Sequence, residues 1–161
     1  MFKKGDLLVY KKDVCEVEEV KEKYIKDIDY YILTPLTDKS LKIQIPTNSQ
    51  ALRNLISKKE VENIIRSIPS IEVIKTDAKN LENDYKELMQ SGTHEDLIKI
   101  IKTTYLRNKE RLDNNKKTTD KDNYYFNQAE LYLYNEFSVV LGLSYEETKN
   151  YLIEKVNKLS I

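Results

Sequence analysis

The chain has 161 residues, 40% of them hydrophobic and 34% charged, and its 27 basic residues are balanced by 27 acidic ones. That length suits one domain or two small ones, and the balance excludes a globally basic nucleic-acid coat protein while leaving room for a local basic patch. The single cysteine, Cys15, excludes an intramolecular disulfide and a cysteine-based zinc site, and no apolar run reaches the length of a membrane span. Residues 1–6 lack the apolar core of a signal peptide, so a soluble protein of the reducing cytoplasm is expected.

The first third reads as strands. Leu7, Val9 and the run Val14-Cys15-Glu16-Val17 alternate in part, residues 30–36 are rich in aromatic and aliphatic side chains, and Leu41, Ile43 and Ile45 alternate with Lys42 and Gln44. Asp27-Ile28-Asp29 and Asp38-Lys39-Ser40 supply turn chemistry, and Pro46 ends the last run because it has no N–H for a ladder. Four or five short strands within about 45 residues suggest a small twisted barrel of SH3 or Tudor type.

The period then becomes helical. Ser57 with Glu60 predicts a capping box for a helix through Ile64, Ile65 and Ile68, broken at Pro69-Ser70. A second helix is expected after Asp77, with Ala78, Leu81, Tyr85 and Leu88 on one face and Gly92 as its stop. Thr93 caps a third, whose apolar stripe is Leu97, Ile98, Ile101, Tyr105 and Leu112. Residues 113–120 are polar and read as a loop. The fourth helix, residues 122–141, is apolar over much of its girth (Phe126, Ala129, Leu133, Phe137, Val140) and should be central. Gly142 stops it, Ser144 with Glu147 caps a fifth, and Leu152, Val156 and Leu159 close the core. The fold class is therefore α+β, with a β module at 1–68 and an all-α domain at 69–161; the boundary falls between Ile65 and Ile74.

Catalytic chemistry finds no candidate residues. His94 follows a helix cap and reads as an exposed first-turn residue with no positioned partner. Cys15 reads as a small core residue ahead of a reactive thiol, since no basic helix start adjoins it. Glu16, Glu18, Glu19 and Glu22 would show only alternate members on one strand face, which suits a solvated edge better than a metal site. Three glycines could hardly build a phosphate loop. Of the twelve tyrosines, Tyr85, Tyr105 and Tyr151 sit at core spacing. A binding protein is expected, not an enzyme, with no cofactor or metal. The charge pattern carries more information. Lys99, Lys102, Arg107, Lys109, Arg111, Lys116 and Lys117 face only Glu110 and Asp113 over the same stretch. Lys99, Lys102 and Lys109 share a helix face and Arg107 and Arg111 line an adjoining one, so phosphate contact rivals an ordinary solvated surface.

Taken in order along nearly the whole chain, these segments resemble the CarD/CdnL family of bacterial transcription regulators. Phe2-Lys3-Lys4-Gly5-Asp6-Leu7-Leu8-Val9-Tyr10 is similar to the family's opening strand, and Tyr30-Tyr31-Ile32-Leu33 and Ile43-Gln44-Ile45-Pro46 to its next two signatures. Leu52-Arg53 followed by Ser57-Lys58-Lys59-Glu60-Val61 resembles the helix that closes the module. Leu88-Met89-Gln90-Ser91-Gly92 resembles the junction within the helical half, and Ala129, Leu133, Glu136 and Phe137 its fourth helix.

The resemblance implies a Tudor-like module that binds the RNA polymerase β subunit through the strand of Lys42, Ile43, Gln44 and Ile45, by addition of a strand to an open edge. It further implies a helical domain on upstream promoter DNA, where Lys99, Lys102, Arg107 and Lys109 would meet phosphates. The sequence departs from the family in two places. Lys11-Lys12-Asp13 replaces a proline- and glycine-containing turn. No tryptophan is present to wedge into the unwound minor groove, and Val73 and Ile74 are placed as apolar substitutes. The expected function is modulation of open-complex stability by bridging polymerase and DNA, in the cytoplasm and without membrane contact. The alternative is an adaptor on polymerase with no direct DNA role.

Overall fold

The computed structural model describes residues 1–159, with side chains described through residue 157. The chain is α+β: β1 (Leu7–Tyr10), β2 (Asp13–Ile25), β3 (Ile28–Pro35), β4 (Ile43–Pro46) and β5 (Leu52–Arg53) precede α1 (Lys58–Ser67), α2 (Leu81–Ser91), α3 (His94–Asp113), α4 (Asp120–Leu141) and α5 (Tyr145–Leu159). It divides into two compact units, Met1–Ile56 and the chain from Ser57 onward. The division thus lies ahead of the boundary expected at residue 68. The reason is packing: α1 and the 3-10 turn Ile68–Ser70 lie against α5, and α1 also meets α4, so both belong to the helical unit.

In the first unit all strands pair antiparallel in the order β4-β3-β2-β1-β5, an open sheet with two edges. Cross-strand partners build its core: Leu8 opposite Cys15, Val17 opposite Leu33, and Tyr31 opposite Ile45, all buried. Phe2, Val20, Ile43 and Leu52 pack around them. Leu52 and Arg53, read from the resemblance as leading into a closing helix, form strand β5 against Val9 and Tyr10.

The β2–β3 hairpin runs further than its apolar pattern suggests. Its turn is Lys26-Asp27, both with positive φ (51° and 60°), as a two-residue primed turn requires, and β3 resumes at Ile28. Residues 22–25 of β2 are exposed on both faces, so no period-two signal marks them as strand.

The helix termini match their chemistry. Glu60 N–H donates to Ser57 Oγ at 3.1 Å while Ser57 N–H donates to Glu60 Oε1 at 3.2 Å, and Ser144 with Glu147 repeats the device at 3.1 and 3.0 Å. Gly92 and Gly142 adopt the left-handed conformation that ends α2 and α4. The fourth helix is central, packing against α1, α2, α3 and α5, with Ala129, Leu133 and Phe137 buried and Phe126 and Val140 half-buried. Leu152 is buried and Val156 half-buried, while the side chain of Leu159 lies outside the described residues.

The buried face of α3 differs from expectation. Leu97, Ile98, Ile100, Thr103 and Thr104 face inward, whereas Tyr105 and Leu112 are 58% and 61% exposed. No residue of α3 after Thr104 is buried, so Tyr105 and Leu112 are exposed because they lie on the C-terminal turns of the helix, beyond its buried stretch. Thr104 can take its place in the core because its hydroxyl donates to the Ile100 carbonyl at 2.8 Å, and Thr103 does likewise to Lys99 at 2.7 Å.

Candidate interaction surfaces

The strand expected to meet a partner is an edge. On one side β4 pairs with β3, Ile45 opposite Tyr31 and Ile43 opposite Leu33. Among the described residues no strand flanks its other side. Thr47 N–H donates to the Asp29 carbonyl at 2.9 Å, continuing that register by one bonded pair. Bonded and non-bonded pairs alternate in an antiparallel ladder. Ile45 and Ile43 therefore bond to β3, and the N–H and carbonyl of Gln44 point to the open side. Their side chains divide the same way: Ile45 is buried and Ile43 partly so, while Gln44 is exposed. Lys42 lies just before the strand. Its ammonium reaches back across β3 to the Glu18 carboxylate on β2 and to Thr34 Oγ1 at 3.2 Å. The hydrogen bond from Lys42 holds the Glu18 carboxyl below its usual range. Glu16, Glu19 and Glu22 of the acidic cluster are exposed, with a bulge between Val17 and Glu19. Cys15 is fully buried, and burial pushes its thiol up to about 12, with the Asp13 charge adding to the shift.

The basic stretch of α3 is less free than its sequence suggests. Lys102 donates to two carbonyls, Ile68 at 2.7 Å and Ile71 at 2.6 Å, tying α3 to the turn that follows α1. Arg107 Nε meets Asp122 Oδ2 of α4 at 3.1 Å, and Arg111 Nε donates to the Lys117 carbonyl at 2.6 Å. Lys109, Lys116 and Lys117 are exposed, and Lys99 is half-buried. Of the four side chains expected on phosphates, Lys102 binds the protein itself, Arg107 does so through Nε alone, and Lys99 and Lys109 are left for a partner.

Val73 and Ile74 are half-buried, and Ile74 N–H donates to Thr103 Oγ1 at 2.9 Å, so this segment is fastened to α3. They line an open cleft of about 370 Å³ together with Glu72, Asp84 and Lys99. The large apolar side chains most exposed on α3 are instead Tyr105, Leu106 and Leu112.

Sequence reasoning missed three buried carboxylates, all on α4. Asp122, Glu130 and Glu136 each meet a cation or histidine from another helix: Arg107, Lys149 at 3.9 Å, and His94 at 2.8 Å. His94 is consequently not the unpartnered first-turn residue expected; its ring is held by Glu136, itself 3% exposed, and stacks on Phe137. The signal was present, since an acidic side chain on a helix apolar over most of its girth has to be paired somewhere. Compared with protein-family models and with curated proteins, the chain matches none of them.

Proposed function

We propose that the chain is a cytoplasmic transcription regulator of the CarD/CdnL kind. Its first unit would be an SH3/Tudor-like module that adds β4 to an edge of the RNA polymerase β subunit. The helical unit would contact upstream promoter DNA and modulate open-complex stability. The observation that carries the reading is the outward-facing main chain of Gln44, a donor and an acceptor unused by the sheet and flanked by the side chains of Lys42 and Ile43. Gln44→Pro tests it cleanly, because the lost N–H is not one that β3 needs. Binding to the isolated β subunit should weaken by at least the ~1 kcal/mol of one hydrogen bond, while Gln44→Arg retains it. Equal binding by wild type and a folded proline variant would remove β4 as the contact.

The adaptor reading, polymerase binding with no DNA role, is favoured by one specific feature: Lys102 and Arg107 are engaged within the helical unit. Pull-down of polymerase with and without nuclease separates the two. Binding to promoter complexes that falls after nuclease treatment supports a DNA contact, and insensitivity supports the adaptor.

A further inference from the structure

A cavity at the C-terminal end of α3 has the composition of an anion site. About 260 Å³ in volume, it is lined by Arg107, Arg111, Asn114 and Lys116, with Glu110 and Ala78 completing the wall. Three cations face one carboxylate there. Both arginines are oriented before any ligand arrives. Arg107 is held through Nε by the buried Asp122 carboxylate, and Arg111 through Nε by the Lys117 carbonyl. An arginine bonded at Nε keeps its Nη donors for a second acceptor, and its side-chain entropy is already spent.

The backbone explains how Lys116 joins them. Asn115 has φ of 58°, in the left-handed region, and the chain folds back in a Schellman arrangement. Lys116 N–H donates to the Arg111 carbonyl at 2.8 Å and Asn115 N–H to the Leu112 carbonyl at 3.1 Å. Carbonyls at a helix C-terminus oppose an anion. Here those of Glu110, Arg111 and Leu112 all accept internal bonds, the first also from Asn114 Nδ2 at 2.9 Å, which reduces that opposition.

We propose that this cavity binds a phosphoryl group, with the guanidinium groups of Arg107 and Arg111 and the ammonium of Lys116 as its donors. Tetrahedral oxygens suit paired guanidinium forks better than a planar carboxylate would suit three converging cations. The site shares Arg107 with the proposed DNA surface but does not rest on the polymerase reading, because the chain alone should bind.

The test titrates the full chain with inorganic phosphate at constant ionic strength, against chloride, and follows the amide resonances of residues 107–117. Saturable shifts confined to that segment are expected, weakened about tenfold in Lys116→Glu, a change at an exposed position that the fold tolerates. Shifts spread evenly over all the lysines, or untouched by Lys116→Glu, would overturn the proposal. A short duplex DNA supplies the second arm. Displacement of phosphate by the duplex identifies the source as a nucleic-acid backbone. Phosphate binding that the duplex leaves unchanged identifies a free phosphorylated molecule. Either result upholds the site, and neither depends on whether polymerase binds β4.

Discussion

Arg107 on α3 and Asp122 on α4 form an ion pair at 3.1 Å in which the carboxylate is 1% exposed. The other oxygen of Asp122 accepts from the Tyr85 hydroxyl of α2 at 2.8 Å, so one buried carboxylate joins three helices. Burial and that hydrogen bond both push the Tyr85 hydroxyl pKa upward, keeping it a donor.

Arg107→Gln should therefore destabilise the helical unit, because it leaves a buried charge with a single neutral partner. Breaking a buried pair from one side costs about 3 kcal/mol or more, reduced here because Arg107 is one-third exposed; a loss of about 2 kcal/mol is expected in urea unfolding. Combined with Asp122→Asn the loss should be smaller than the sum of the two single changes, since both remove the same interaction. Additive losses would show that the pair is not coupled.

Lys102 and Lys109 look alike in sequence and should behave differently. Lys102→Met keeps the apolar stem but strands the Ile71 carbonyl and leaves that of Ile68 with the Ile71 N–H alone, for a loss of roughly 1–3 kcal/mol. Lys109→Met, at an exposed position, should stay within about 0.5 kcal/mol of wild type. For the same reason Lys109 is the informative position for a charge reversal aimed at DNA, whereas reversal at Lys102 confounds binding with folding. Indistinguishable stabilities of the two methionine variants would contradict this assignment.

Glu130 sets a pH dependence of the less usual sign. Burial raises its pKa above the ordinary 4.5, against the opposing pull of Lys149. The native state thus holds this proton more tightly than the unfolded chain, and stability from this group is present below 4.5 and lost as pH rises through the raised value. Melting temperatures of wild type and Glu130→Gln, compared from about pH 4 to about pH 7, should diverge in favour of the variant as pH increases. A gap that closes with rising pH would mean that Lys149 outweighs burial.

Residues 1–56 should fold alone. The unit has its own cross-strand core of Leu8, Cys15, Val17, Tyr31, Leu33 and Ile45, and modules of this size can be independently stable, though only marginally. A fragment ending at Ile56 is expected to give β-type circular dichroism and one cooperative thermal transition. A fragment lacking both, beside a stable full chain, would show that the first unit needs the second.

Whatever rests on neighbours along the chain was legible from the order of residues alone. Caps at Ser57, Thr93 and Ser144, stops at Gly92 and Gly142, the break at Pro69 and the alternation of Ile43 and Ile45 each depend on a few adjacent residues, so local chemistry suffices to read them. That β4 is an edge, with Gln44 turned outward, was decided by sheet order, which the alternation of a single strand cannot contain. The same holds for charge. A count along α3 treats Lys102, Arg107 and Lys109 alike, yet only the packing of α1 and α4 decides that the first two are engaged and the third is free to meet solvent. It is also the meeting of helices that buries Asp122, Glu130 and Glu136 and brings each its partner from 15 or more positions away, because a buried charge is compensated across space and not along the chain.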